Sequence, residues 1–387
     1  MKIAYITDQN ANNINSWSGI LYHMSKSLEK KNIDIIYINA MDYIWEEIII
    51  SIKNNPLKGE NSMWHYINPV TLKNASLKLE KYLKNIQIDL IMCHGTLPVA
   101  FLENKVPLVC WEDSTSKKLI SFYNKYKDLD LEIKNLWFET EKTAFYKSSA
   151  LIFPSEWAAN SAFIDYEISK DKIKVIPFGA NLNFNGGLKQ ISKVIDDKKF
   201  DKCKLLFVGK DWERKGGNLV IKIAQYLNEK GLDTELNIVG SDIKNNYSSL
   251  PKFVKNIGFI DKSSQNGINF LSELFLESHF LLVPSRAECY GIVFCEASSF
   301  ALPSLSTNVG GISSCVTNDI NGKLFSLQAD EKDYGDYIIS LFKNSSEYKK
   351  LAFSSFQEYK DKLNWETTAN KIKTLFEEII SQENSQN

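Results

Sequence analysis

Apolar residues along this chain fall either in short unbroken runs or in stripes at helical spacing, and the two kinds alternate. Residues 2–39 read as a strand, a polar loop, a glycine, an amphipathic helix and a second strand. Ile20, Leu21, Met24 and Leu28 recur at the 3.6-residue period that puts them on one helix face, and Asp34 to Ile38 follows as a buried strand. Residues 204–240 repeat the plan. Lys204 to Gly209 is a strand and Lys210 to Gly217 a loop; Leu219, Val220, Ile223, Ala224 and Leu227 form the helix stripe, and Glu235 to Gly240 is the next strand. This order at two separate starts predicts two parallel α/β units with right-handed crossovers. Further short strands are predicted at Asp89 to Cys93, Pro107 to Trp111, Leu151 to Phe153, Lys174 to Pro177, Phe280 to Pro284 and Ser304 to Ser306. Phe178 to Gly187 is rich in glycine and asparagine and reads as the linker. From Asp330 the tail reads as helices, the last with an apolar face of Trp365, Ala369, Ile372, Leu375, Phe376 and Ile379. The expected boundaries are 1–180, 181–365 and, over 366–387, a closing helix with a polar tip that can pack back on the first domain.

At 387 residues and 44% apolar content, the chain can bury two cores. Its 46 basic and 47 acidic side chains nearly cancel, so no overall field recruits nucleic acid or an anionic membrane. The start, Met1 to Asp8, reads as a first strand rather than a signal peptide, and no apolar stretch reaches membrane-spanning length. A cytoplasmic protein is expected. Six scattered cysteines, with no Cys-x-x-Cys pair and no histidine at metal-ligand spacing, predict buried thiols.

Candidate chemistry enters with the arginines, of which there are only two, Arg214 and Arg286. Each lies where an apolar strand runs through a loop into a helix. A guanidinium forks onto phosphate or carboxylate in a way that lysine cannot copy. Ligands of open parallel sheets bind beyond the carboxyl ends of the strands, where helix N-termini present free N–H groups. Lys210, Arg214 and Lys215 put three cations before one helix, enough for a diphosphate. The loop lacks the full phosphate-loop pattern of nucleotide triphosphatases. Glu288 sits in the other loop, Gly291 permits close backbone approach, and Glu296 follows inside a helix. A retaining glycosidase pair needs carboxyls about 5–5.5 Å apart, whereas eight helical residues rise about 12 Å, so the two glutamates read as clamps on different parts of one elongated ligand. Val309 to Gly311 and Gly19 supply further turns that expose backbone. Of the four histidines, His94 lies just past a predicted strand, on the rim where polar groups meet a ligand; His23, His65 and His279 read as structural.

Together these segments resemble the retaining glycosyltransferases of family 4, the group 1 glycosyltransferases. Pro154 to Ala159 and Pro177 to Leu182 look like that family's bacterial members, and the likeness runs from Ser16 to Trp365. The resemblance implies the GT-B fold: α/β, two Rossmann-like doubly wound parallel-sheet domains facing across a cleft. It implies a nucleotide-sugar donor held mainly by the second domain and an acceptor on the first. Glu296 would accept the ribose hydroxyls, Arg214 and Lys215 would bind the diphosphate, and Gly19 would approach the phosphates. Glu288 and His94 would lie beside the transferred sugar as the catalytic pair, with Gly291 and Ile292 completing the donor side. Lys210 stands where many members carry arginine.

No metal and no cofactor other than the donor is expected, nor is a nucleic-acid partner. Asp128 and Asp130 resemble the two-aspartate metal site of other sugar transferases, but their lysine-rich flanks read as a solvated helix face. The expected setting is bacterial glycan synthesis in the cytoplasm, with a peripheral place at the inner face of the membrane admitted. The acceptor, a saccharide, lipid-linked or protein group, would meet the variable loops around residues 40–70 and 112–150. Two alternatives share the scaffold: a sugar-nucleotide epimerase, which turns over donor with no acceptor, and a non-catalytic partner of another transferase. Intact Glu288, Glu296, Arg214 and Lys215 argue against the second.

Overall fold

The structure is a computed structural model; it describes the chain except residues 56, 57, 59–61, 104, 242, 244–248 and 387, and except the side chains of residues 62 and 386. The chain forms two compact units, one of Met1–Ile176 with Ala369–Asn387 and one of Pro177–Thr368.

The first unit is built on a parallel sheet of β1 (Lys2–Thr7), β2 (Asp34–Asn39), β3 (Leu90–His94), β4 (Leu108–Trp111), β5 (Ala150–Phe153) and β6 (Ile173–Val175), in the order β2-β1-β3-β4-β5-β6. β3, β4 and β5 are buried along their whole length, which is why they read as unbroken apolar runs. β2 departs from expectation. It is an edge strand with only Ile38 fully buried, because one of its sides has no neighbour to cover it. In the second unit β7 (Cys203–Val208), β8 (Thr234–Val239), β9 (Val254–Gly258), β10 (Phe280–Val283), β11 (Ser304–Thr307) and β12 (Gly322–Phe325) pair in the order β12-β11-β10-β7-β8-β9, again all parallel. β9 and β12, the two edges, carry no legible apolar run.

Three sequence expectations are corrected. The stretches around 40–70 and 112–150 are largely helical, with helices Met41–Asn54, Ser62–Ile67, Ser116–Phe122 and Leu131–Lys147; residues 56, 57 and 59–61 of the first lie outside the described residues. The segment after Pro177 is packed rather than slack. Phe178 is buried, its carbonyl accepts from the Tyr290 hydroxyl at 3.1 Å, and the Ala180 N–H donates to the Leu363 carbonyl at 3.0 Å. A Cβ on Gly179 would come within 2.0 Å of the Trp365 nitrogen, so glycine is there for closeness rather than slack. Asp128 and Asp130 precede the helix Leu131–Lys147, exposed, with Asp130 at its N-cap. The last apolar face is as expected: Trp365, Ala369, Ile372, Leu375, Phe376 and Ile379 are all buried.

Candidate functional site

In the second unit the chemistry gathers where β7 and β10, paired side by side, run out into their loops. The loop after β7 folds over the buried Trp212, whose indole N–H donates to Asn218 at 3.0 Å. Gly216 and Gly217 make this possible. A Cβ on Gly216, which has φ +75°, would lie 2.1 Å from the Pro284 carbonyl oxygen, and one on Gly217 would lie 2.1 Å from the Trp212 ring. The loop after β10 is tied to the first by the Arg286 N–H, which donates to the Arg214 carbonyl at 2.7 Å.

At the centre is Glu288, only 9% exposed. Arg214 Nη1 donates to its Oε2 at 3.2 Å and to the Ala287 carbonyl at 2.8 Å, Arg214 Nε reaches Asp211 at 3.2 Å, and the Lys215 ammonium pairs with the same Glu288 oxygen. Burial opposes the charged form of Glu288, but the Lys215 ammonium and the Arg214 guanidinium outweigh it and hold the carboxyl below the ordinary carboxylate range. The Gly311 N–H, from the turn after β11, donates to the Glu288 carbonyl at 3.1 Å. Gly291, at φ +91°, then starts the helix Ile292–Ser299 with no side-chain cap, which leaves its first N–H groups for a ligand or solvent. Glu296, 2% exposed, is inside that helix, with Lys262 3.4 Å away.

The first unit has a second cluster, where β1, β3 and β4 end in register: Thr7 is level with His94, and His94 with Trp111. His94 is the last residue of β3 rather than a residue beyond it. The Trp17 ring lies 4.2 Å and the Trp111 ring 5.0 Å from the imidazole. Its Nδ1 is 3.6 Å from Asp8 Oδ1. Glu112 follows β4; burial first, then the neighbouring Glu141, Asp113 and Asp8, drive its carboxyl well above the ordinary range. Trp17 and Ser18 hold left-handed backbone, φ 43° and 59°, and lead into Gly19 at φ 87°, which caps the helix Ile20–Glu29. Left-handed backbone in a residue as bulky as tryptophan is a strained turn held by its surroundings.

Of the residues singled out in the sequence, the structure brings Arg214, Lys215, Glu288 and Gly291 together, with Ile292 and Glu296 on the adjoining helix. It sets Gly19 and His94 in the other unit. Lys210 is exposed, with its ammonium 5.4 Å from the centre of the Phe259 ring. Arg286 lines a separate cavity of about 170 Å³ with Glu213, Asn218 and Thr307. His65 and His279 are structural: the former is buried on a helix with Ser51 Oγ at 2.8 Å, the latter accepts from the Lys204 N–H at 3.0 Å. Asp8, Trp17, Glu112 and Lys262 were missed. Asp8 and Glu112 each follow an apolar strand directly, the same signal that marked His94. All six cysteines are free and buried. Among the described residues no helix is long and apolar enough to cross a membrane, and no group of three His, Cys, Asp or Glu side chains is placed to hold a metal ion.

Comparison with known proteins gives two family matches, Glycosyltransferase Family 4 over residues 20–184 and Glycosyl transferases group 1 over residues 189–355. An uncharacterized glycosyltransferase of Methanocaldococcus jannaschii, MJ1178, is 26% identical over 51% of this chain and 53% of its own. The D-inositol 3-phosphate glycosyltransferase of Paenarthrobacter aurescens is 26% identical over 48% of this chain and 47% of its own. The chain thus spans about half the length of these relatives. Among solved structures, Anabaena HepE in complex with UDP superposes with a TM-score of 0.66 at 14% identity, covering 98% of this chain and 100% of that one. At that identity the likeness is one of fold, and the fold is GT-B: two six-stranded parallel sheets, each flanked by helices.

Proposed function

Because the chain belongs to the group 1 glycosyltransferases of family 4, we propose that it moves a sugar from a nucleoside-diphosphate sugar to an acceptor hydroxyl with retention of configuration. The observation that carries this reading is the cluster of Arg214 and Lys215 around the ionised Glu288, next to an uncapped helix start. As the bond between sugar and phosphate oxygen breaks, negative charge builds on the leaving diphosphate. Two fixed cations and the N–H groups at Gly291 and Ile292 meet that charge without reorganising, which lowers the barrier with no divalent ion. The acceptor hydroxyl bonds to the anomeric carbon on the face the diphosphate leaves, and its proton passes to the leaving diphosphate. Glu288 lies beside the sugar and Glu296 takes the ribose hydroxyls. The family likeness implies donor-side roles for His94 and Gly19 as well. Since HepE was solved with UDP, a uridine nucleotide is the first donor to try.

The test is one set of reactions with UDP-glucose, UDP release being followed with and without excess chelator and the product's anomeric coupling read by proton NMR. The reading expects a rate within about twofold of the untreated enzyme and an α-linked product. Activity lost to chelator and restored by magnesium, or a β-linked product, defeats the metal-free retaining mechanism. Turnover of donor into a new sugar nucleotide with no acceptor present would favour an epimerase.

A further inference from the structure

We propose that the helix Ser116–Phe122 and the turn after it form a surface by which the first unit rests on an anionic lipid bilayer, whichever reaction the protein carries out. The first ground is the order of residues. The chain's charges nearly cancel overall, but the twelve residues from Ser116 to Lys127 hold four lysines and no acidic side chain. Leu119, Ile120, Phe122, Tyr123 and Tyr126 are set between those lysines. Such a mixture suits the boundary between lipid headgroups and chains, where ammonium groups meet phosphate while apolar side chains and rings enter the layer beneath.

The second ground is how the fold leaves these side chains. A surface helix with several large apolar residues ordinarily buries them as one face, yet Ser116 is the only buried residue of this one. Leu119, Ile120 and Phe122 stay partly exposed, as do Tyr123 and Tyr126, and Leu131 beyond them is 72% exposed. The rings adjoin one another: Phe122 is 5.0 Å from Trp157 and 5.7 Å from Tyr123, and Tyr126 is 5.4 Å from Trp137. Lysines share the same surface. Lys118 Nζ is 6.0 Å from the centre of the Trp157 ring, and Lys125 Nζ is 4.5 Å from that of Tyr126. Lys117 is 3.5 Å from Asp165, but Lys118, Lys125 and Lys127 are paired with no acidic side chain among the described residues. Asp128 and Asp130 close the run, and Lys134, whose Nζ donates to the Lys127 carbonyl at 2.8 Å, sets a further cation beside them. The patch is therefore positive as well as apolar, which complements an anionic membrane surface.

Flotation of the full chain with two kinds of vesicle tests this, one of phosphatidylcholine alone and one of phosphatidylcholine mixed with phosphatidylglycerol. The expected result is binding to the mixed vesicles only, weakened by added salt. Each of Lys118→Gln, Lys125→Gln and Lys127→Gln should weaken it about fivefold, and the three together should abolish it. These are exposed or half-exposed positions, and melting curves check that the variants fold. Lys73→Gln with Lys81→Gln, which removes charge from another helix of the same unit, should leave binding unchanged. Binding to neither vesicle, equal binding to both, or binding that survives the triple lysine variant overturns the proposal. So does an equal loss on changing Lys73 and Lys81, which would make the attraction one of general charge rather than of this surface.

Discussion

Replacing Glu288 by glutamine removes one negative charge and changes little else, so its effects report directly on the cluster around it. The Arg214 nitrogen stands 3.2 Å from the carboxylate oxygen, and Lys215 pairs with the same oxygen. At an effective dielectric of about 20, a pair at that distance attracts with about 5 kcal/mol. Most of that repays desolvation, and breaking a buried pair outright costs about 3–5 kcal/mol. Glutamine still accepts a hydrogen bond, so the expected loss of stability is about 2 kcal/mol, or roughly 4–8 °C in the melting temperature of a unit this size. Ligand binding should move the other way. With the carboxylate gone, Glu288 no longer offsets the positive charge of Lys215 and Arg214, so UDP should bind several-fold more tightly while kcat falls. Acid supplies a further check. The folded carboxyl is held below the ordinary glutamate value of about 4.5, so its stabilisation is present above pH 4.5 and lost as pH falls through the lowered value. The gap between wild type and variant should therefore close in acid. Calorimetric melting and UDP titration are the assays; an unchanged melting temperature at pH 7, with UDP affinity equal or weaker, would refute an ionised Glu288 that balances Arg214 and Lys215.

Arg214→Lys keeps the charge but cannot reach Ala287, Glu288 and Asp211 together, so UDP affinity should drop about tenfold, the worth of one charge-assisted hydrogen bond; an unchanged dissociation constant by calorimetry counts against the fork. Glu296→Ala, remote from the breaking bond in the proposed arrangement, should raise donor KM with kcat nearly unchanged, and steady-state kinetics giving the reverse would move Glu296 to the reacting end. Glu141, buried with Ser116 and Tyr166 as partners, has its carboxyl pushed up to about 7 by burial. A raised carboxyl contributes stability that is full below its unfolded value of about 4.5 and lost as pH rises through about 7, a span of about 3 kcal/mol. Glu141→Gln should remove that share of the slope between pH 4.5 and 8 in urea melts, and a slope identical to wild type would show that Glu141 is ionised in the fold.

What could be read from the sequence follows from burial. Central strands such as β3 and β10 are covered on both faces, and nothing polar interrupts their runs. β9 has Lys255 and Asn256 in its middle because an edge strand must keep one side wet, and the run disappears. The helix Met41–Asn54 escaped for another reason: its buried face is Ile44, Glu47, Ile48 and Ser51, half of it polar, while the apolar Trp45, Ile49 and Ile50 are exposed. In the candidate site, Arg214, Lys215 and Glu288 were legible one by one as loop residues after strands. Their meeting was not, since Lys215 and Glu288 are 73 residues apart and touch only because β10 inserts beside β7. Asp8, His94 and Glu112 depend in the same way on β3 lying between β1 and β4.

The seam between the loops after β7 and β10 limits how this protein can be altered. Gly216 lies so close to the Pro284 carbonyl that no larger residue fits, and the Arg286 N–H is bonded across the seam to Arg214. The two loops therefore hold one another's shape. An engineer who transplants one of them from a relative to change donor preference would break the contacts on which the other depends, and would recover a misfolded half-site rather than a new specificity. Such exchanges should succeed only when both loops travel together, and in families that share this seam the residues on its two sides should change in concert.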